Sequence, residues 1–346
     1  MSPYSIIKEK LIEKPKTWFI TGIAGFIGLN ILEALLRLGQ RVIGIDNFST
    51  SNISNLEQLK NETAPKPWSN FSFINLDIAK AIYPLKDIDH IIHLAAIPSG
   101  PRSIKEPEIS LNNNIIGFLN ILESMRNSGN PIMSLVYASS SSVYGNSKKH
   151  PRVEHMIGDP LTPYAASKQC NEIMAHAYIK NYFLKITGLR YFNVFGPRQN
   201  PYSDYSAVIP KWINTMLSDN PSIEISGRGA IIRDFCYIKN VVQATILAAM
   251  TPIRIELYPR CFNICTNDPV TLNQLYQIIL RLCDKKKGDL KLKYRPQKDY
   301  DVDKSYGSFE RAQKYIGYTP THSLETGLKE TIAWFKKQSI SANIKA

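Results

Sequence analysis

Short apolar runs alternate with stretches of helical spacing from the start of the chain to about residue 196. Trp18-Phe19-Ile20 is uniformly apolar and Arg41-Val42-Ile43-Gly44-Ile45 nearly so. Comparable runs recur at Phe71-Ser72-Phe73-Ile74-Asn75, Asp89-His90-Ile91-Ile92-His93-Leu94, Ile132-Met133-Ser134-Leu135-Val136-Tyr137 and Phe183-Leu184-Lys185-Ile186-Thr187-Gly188-Leu189-Arg190. Continuous apolarity marks strands buried on both faces. Between them, segments such as Leu29-Asn30-Ile31-Leu32-Glu33-Ala34-Leu35-Leu36 carry apolar residues at helical intervals. This alternation predicts an α/β fold, a doubly wound parallel sheet covered on both faces. Such a sheet receives ligands beyond the carboxyl ends of its strands. Later, Pro197, Pro201, Pro210 and Pro221 punctuate shorter elements, which predicts a smaller C-terminal lobe and a cleft between lobes. The expected division is residues 1–196, with an N-terminal extension at 1–16, and residues 197–346, their elements interleaved with the first part.

One junction in this pattern carries chemistry. Residues 21–28 read Thr-Gly-Ile-Ala-Gly-Phe-Ile-Gly and link the first strand to the first helix. Backbone N–H groups and the positive helix end converge there, and glycines let a pyrophosphate approach. Gly22, Gly25 and Gly28 are spaced Gly-x-x-Gly-x-x-Gly, not the commoner Gly-x-Gly-x-x-Gly; alone, the triplet also suits a plain strand–helix turn. The second strand adds weight, because it ends in Asp46-Asn47-Phe48-Ser49-Thr50. An acidic residue there accepts hydrogen bonds from adenosine ribose hydroxyls and repels a 2′-phosphate, so Asp46 favours NAD over NADP. Its plain alternative is a cap on the next turn. After the third strand, Asp77 suits the adenine amino group and Ile78 the adenine ring; the alternative for Asp77 is a solvent-facing turn residue.

Composition narrows the rest. At 346 residues, 44% hydrophobic and 21% charged, the chain reads as an ordinary soluble globular protein with a sizeable core. No run approaches membrane-spanning length, and residues 2–10 lack the apolar segment of an export signal. A cytoplasmic protein with no membrane partner is therefore expected. Cys170, Cys236, Cys261, Cys265 and Cys283 form no Cys-x-x-Cys pair and the histidines do not cluster, so a reducing compartment and no metal are expected. The net charge of +13 raises the question of a nucleic-acid partner. Its lysines are scattered, however, in groups such as Lys148-Lys149, Lys285-Lys286-Lys287 and Lys336-Lys337 that suit solvated faces. A basic balance also suits a diphosphate-bearing substrate and cofactor, so no nucleic-acid partner is expected.

The reactive centre is marked by Tyr164-Ala165-Ala166-Ser167-Lys168. Tyr and Lys at i and i+4 share a helix face, and Pro163 suits the helix start. A phenol near pKa 10 is a poor base at neutral pH; a neighbouring ammonium and a nicotinamide cation lower that value by roughly 1–3 units. The Tyr then takes a proton from a substrate hydroxyl while hydride leaves the same carbon. Alone, Tyr-x-x-x-Lys is commonplace on surface helices. Here it follows Tyr137-Ala138-Ser139-Ser140-Ser141-Ser142-Val143-Tyr144-Gly145, a serine-rich turn at a strand end whose hydroxyls suit the reacting oxygen.

In this order the motifs resemble those of extended short-chain dehydrogenase/reductases, specifically the NAD-dependent sugar-nucleotide epimerases and dehydratases. The resemblance runs from about residue 17 to the final helix. It includes His93-Leu94-Ala95-Ala96, Asn114-Ile115-Ile116-Gly117 and Tyr191-Phe192-Asn193-Val194-Phe195-Gly196-Pro197-Arg198. The pattern is most similar to UDP-N-acetylglucosamine 4-epimerases of bacterial surface-polysaccharide pathways. They share Ser99-Gly100-Pro101-Arg102-Ser103 in part, Ala207-Val208-Ile209-Pro210-Lys211-Trp212 and Arg233-Asp234-Phe235-Cys236-Tyr237-Ile238. The resemblance implies a Rossmann-type sheet with a smaller α/β substrate lobe, and a homodimer paired through helices near 111–127 and 164–181. It implies Ser140, Tyr164 and Lys168 as the catalytic set. Around NAD it implies Gly22, Gly25, Phe26, Ile27, Asp46, Asn47, Asp77, Ile78, Leu94, Ala96, Lys168 and Tyr191. Around UDP it implies Asn193, Val208, Lys211, Trp212, Arg233 and Asp301, with Ser99, Ser141 and Ser142 near the sugar. Arg233 suits a diphosphate bidentately, whereas Trp212 and Val208 also suit a core.

Related dehydratases carry Asp-Glu before Val-Tyr-Gly, an extra acid and base for eliminating water. Ser141 and Ser142 stand there in this chain and lack that chemistry. The resemblance thus implies 4-epimerisation of a UDP-hexose through a transient 4-keto sugar, with UDP-N-acetylglucosamine and UDP-N-acetylgalactosamine as first choice. Ser305 stands where a bulky residue excludes N-acetylated sugars in related epimerases. A UDP-glucuronate-type 4-epimerase is the alternative, with Arg102 left open as a partner for its carboxylate. A non-catalytic NAD-sensing or RNA-associated relative is a third reading, against which the intact Ser140/Tyr164/Lys168 set argues. One stretch departs from the pattern. Relatives have Arg-x-Gly-Asp-Val-Arg where this chain reads Lys298-Asp299-Tyr300-Asp301-Val302-Asp303. Lys298 thus offers a diphosphate one ammonium in place of a planar fork.

Overall fold

The computed structural model describes residues 1–345 apart from 81–82, 132, 204–205, 219–220, 253–256, 258–259 and 299–300; of 287 and 339–345 it describes the backbone alone. Seven strands form one sheet: β1 (Thr17–Thr21), β2 (Arg41–Asp46), β3 (Phe71–Asn75), β4 (His90–His93), β5 (Ser134–Ser140), β6 (Lys185–Tyr191) and a late strand, Cys261–Ile264. Across the sheet they run late strand, β6, β5, β4, β1, β2, β3, and every pairing is parallel. The order reverses between β1 and β4. A crevice therefore opens beyond Thr21 and His93, where helices leave in opposite directions.

The uniform apolarity of β1 follows from this double covering. Trp18 and Ile20 join one core cluster, packed under the helices Phe26–Arg37 and Ile238–Met250. Phe19, pointing the other way, joins a second cluster under Gly117–Asn127 and Pro163–Tyr182. The extension at 1–16 is not an idle tail. Ser2 caps a helix over Pro3–Glu13, Leu11 is fully buried, and the Leu11 carbonyl accepts from Gln40 Nε2 at 2.8 Å.

Two expected elements shift in ways that shape the crevice. The run expected at 132–137 becomes β5, which begins at Ser134 (Ile132 lies outside the described residues) and continues through Ser139 and Ser140. These serines are held in register against Arg190 and Tyr191 of β6, so the turn proper is the 3-10 segment Ser141–Tyr144. The helix expected near 111–127 is broken into Pro107–Leu111, a π turn at Asn112–Ile116, and Gly117–Asn127. The wider turn directs Asn114 inward. There it accepts from the Ile97 N–H at 2.8 Å and donates to Ser167 Oγ at 3.0 Å, tying the loop after β4 to the Tyr164 helix.

The later chain adds small sheets beside the crevice. Val194–Phe195 pairs with Cys236–Tyr237; Pro269–Thr271, Ile232–Asp234 and Lys304–Ser305 form a three-stranded patch; Ser222–Ser226 pairs with Lys291–Arg295. Ser305 lies directly opposite Arg233 in that patch. No helix among the described residues is long and apolar enough to cross a membrane.

Candidate active site

A cavity of about 440 Å³ occupies the crevice. Its floor is the glycine turn. Gly22 has φ +71°, and a Cβ there would lie 2.7 Å from the Ala95 nitrogen; a Cβ on Gly28 would lie 2.4 Å from the Gly22 carbonyl oxygen. Only glycine allows this closeness. Phe26, Ile27 and Gly28 open the helix, so their N–H groups have no partner within it, and all three residues line the cavity. The donor set and the shape fit the diphosphate of a dinucleotide.

Asn47, Leu94, Ala96, Lys168, Tyr191 and Ile78 line the same cavity, as do Gly22, Gly25 and Asp46. Asp46 also secures the turn around it: its carboxylate accepts from the N–H groups of Ala24 and Phe48 and from Ser51 Oγ, at 2.9–3.0 Å. Asp77 is the exception. Its carboxylate turns back onto the Ala79 N–H at 3.0 Å, as short acidic side chains do in turns, and it does not line the cavity. That bond engages one carboxylate oxygen; the adenine contact expected of Asp77 stands beside this turn-forming role as a proposal.

Tyr164 and Lys168 sit near the start of the helix Pro163–Tyr182, whose first turn Thr162 caps by accepting from the Ala165 N–H. Lys168 Nζ donates to the Ala138 carbonyl at 2.8 Å and lies 5.9 Å from the centre of the Tyr164 ring. Burial pulls the Lys168 ammonium down to about 8, with Glu172 one turn on opposing that shift. Burial pushes the Tyr164 phenol above its ordinary value, while a hydrogen bond with the Ser140 hydroxyl pulls the other way.

A second cavity, about 420 Å³, meets the first at Pro98, Ser140, Tyr164 and Tyr191. Ser141, Ser142, Asn193, Arg233, Asp301 and Ser305 line it. Arg233 Nη1 donates to the carbonyls of Ile232 and Val302; burial holds its guanidinium below the ordinary value against the pull of Asp301 and Asp303. Five expected substrate residues lie elsewhere. Ser99 caps the helix Gly100–Lys105, between two residues that do line the cavity. Trp212 belongs to the core: Ile209, Trp212, Ile213 and Met216 are all buried at helical spacing, and the indole packs edge-on against Tyr276. Val208 packs against the same core, Lys211 faces solvent on the opposite side, and Lys298 is exposed outside the cavity, next to residues 299–300, which lie outside the described residues. Arg152, absent from the sequence reading, lines the cavity at 2% exposure.

Comparison with known proteins agrees with this geometry. Residues 18–265 match the model of the NAD dependent epimerase/dehydratase family. A UDP-glucuronate 4-epimerase of Thermodesulfobacterium geofontis is 33% identical over 92% of this chain and 96% of its own. Among solved structures, a UDP-N-acetylglucosamine 4-epimerase from Methanobrevibacter ruminantium, in complex with UDP-N-acetylmuramic acid, superposes with TM-score 0.83 at 34% identity, covering 94% of this chain and 99% of that one. A UDP-glucuronic acid 4-epimerase from Bacillus cereus, in complex with UDP-glucuronic acid and NAD, gives TM-score 0.80 at 29% identity, over 93% and 99%. The glycine cradle, the Rossmann-type sheet and the sequence match agree: the chain belongs to the NAD-dependent epimerase/dehydratase family, as an NAD-using enzyme related to the UDP-sugar 4-epimerases.

Proposed function

We propose that the protein epimerises a UDP-hexose at C4 through a transient 4-keto sugar, with an N-acetylated hexose as the first reading. The observation that carries this is the meeting of the two cavities at Ser140 and Tyr164, with Lys168 beneath. A hexose in the second cavity, its diphosphate towards Arg233, has one ring carbon beside both the phenol and the first cavity. The first cavity, lined by Gly22, Gly25 and Asp46, would hold NAD, which would supply the hydride acceptor and donor beside that carbon. Tyr164 takes the hydroxyl proton and gives it back, Ser140 holds the reacting oxygen and the phenol together, and Lys168 favours the phenolate by its charge. Neither Ser141 nor Ser142 supplies the further acid or base that elimination needs. Turnover of UDP-N-acetylglucosamine by the purified protein, read by chromatography of the two epimers, tests the reading; no turnover of any UDP-hexose would overturn it. We read the exposed Ile116 and Ile173 as part of a homodimer face on the helices expected to pair.

Two further results are expected. Ser305 is small and lines the second cavity. Ser305→Tyr is expected to depress kcat/KM on UDP-N-acetylglucosamine about tenfold or more beyond its effect on UDP-glucose, the scale of a steric clash in a packed pocket. Equal losses would remove Ser305 from the sugar pocket. Lys168→Met removes the ammonium nearest the phenol. The ascending limb of the pH–kcat profile, which reports formation of the phenolate, is expected to move up by about one unit or more. An unmoved limb would show that Lys168 does not tune Tyr164.

A further inference from the structure

The second cavity holds a buried cation, Arg152, that no acid among the described residues answers with an ion pair. Arg152 Nη1 donates to the Ser141 carbonyl at 3.2 Å; Nη2 reaches the carbonyls of Gly145 and Lys304 only at 3.5 and 3.4 Å; Nε has no partner. All three acceptors are neutral. The Tyr144 ring centre lies 5.3 Å from the guanidinium. Among the described residues no carboxylate forms an ion pair with it, and Arg233 adds a like charge nearby. The two arginines differ in this respect, since Asp301 and Asp303 stabilise the charge on Arg233. Arg102, left open by the sequence for a substrate carboxylate, is spent on Glu106 at 2.9 Å. An unpaired buried guanidinium is strongly unfavourable. An anionic group of a ligand in this cavity would supply the missing counter-charge.

The position says which part of the ligand. Arg152 is tied to Ser141, the neighbour of Ser140, and to Lys304, the neighbour of Ser305. That is the reacting end of the cavity. We propose that Arg152 is a specificity-determining residue that pairs with a carboxylate on the hexose ring, so that the substrate class is a UDP-hexuronate. This rests on the 4-epimerase reading and changes its first choice of sugar: a hexose neutral at C6, such as UDP-N-acetylglucosamine, leaves Arg152 unanswered, whereas a hexuronate, with or without an acetamido group at C2, does not. A planar guanidinium matches a carboxylate far better than a hydroxymethyl group, and the pairing relieves the burial of both charges.

UDP-glucuronate and UDP-glucose differ at C6 alone, so calorimetry of both on the purified NAD-bound enzyme isolates the carboxylate. Wild type is expected to bind UDP-glucuronate about tenfold or more tightly than UDP-glucose. Arg152→Met is expected to bring the two within about threefold while the Kd for UDP alone stays within about twofold, and Arg152→Lys to keep most of the preference. No preference in the wild type overturns the proposal, whatever the variants do. Equal weakening of both sugars by Arg152→Met also overturns it, because that is the signature of a residue that only braces the serine turn. Weakened binding of UDP alone would assign Arg152 to the diphosphate. These are binding measurements, so absence of turnover, which bears on the epimerase reading, is seen separately.

Discussion

Tyr164→Phe is expected to lower kcat by about 10²–10⁴-fold while leaving the Kd for a UDP-sugar within about twofold. The phenol oxygen touches the reaction through one proton. In the proposed mechanism Ser140 and Lys168 orient and charge-balance it but carry no spare group to replace it. The ring itself packs at the junction of the two cavities, and phenylalanine keeps that packing. The loss is therefore one of transition-state stabilisation, not of binding. Stopped assays of kcat alongside calorimetric Kd values measure both halves of the claim. Retention of more than about a tenth of the wild-type rate would remove Tyr164 from the role of base.

The largest effect on stability is expected one layer beneath the site. Arg190, on β6, is fully buried; its Nε and Nη2 donate to Glu172 Oε1 and Oε2 at 2.9 and 2.7 Å, and its Nη1 donates to Tyr144 Oη and the Glu154 carbonyl. Glu172 also accepts from Ser139 Oγ at 2.5 Å. Arg190→Met leaves Glu172 as a buried charge without its partner, which costs about 3–5 kcal/mol. Urea unfolding should report that loss as a lowered midpoint with an unchanged slope. The joint replacement of Arg190 and Glu172 by apolar residues is expected to cost less than Arg190→Met alone, since it buries no orphan charge. A change under about 1 kcal/mol for the single variant would show that water enters and answers Glu172.

What the sequence makes legible is what backbone geometry alone dictates. Tyr164 and Lys168 share a face because four residues make a helical turn, and Gly22 and Gly28 are required where a Cβ has no room. Strands β1, β2, β4, β5 and β6 announce themselves because both faces are covered, and the edge strand β3 by its alternation. The expected residues that the fold sets outside the two cavities are explained in the same terms. Trp212 sits in a motif shared with relatives, yet that motif is also a stripe of buried positions, and a sequence does not say which use the side chain serves. Asp77 obeys its own turn before any ligand. Arg152 has no periodic signal at all. It lies in a proline-flanked loop, and its place is fixed by the Tyr306 carbonyl, Lys304 and Gly145, contacts that only the folded chain brings together.

The late strand Cys261–Ile264 also sets an order of events for a folding chain. Asn263 accepts from Tyr144 Oη at 2.6 Å across 119 positions, donates its backbone N–H to the Glu154 carboxylate, and donates its side-chain amide to the carbonyls of Arg152 and Ser308. Pairings at such separation pay their loop-closure entropy before they return any contact energy, so they form late. The glycine cradle, built from residues 21–28 and 94–96, needs none of them. Closing the cradle and bracing the serine turn are therefore expected as separate steps of assembly, with the docking of the last strand the later of the two.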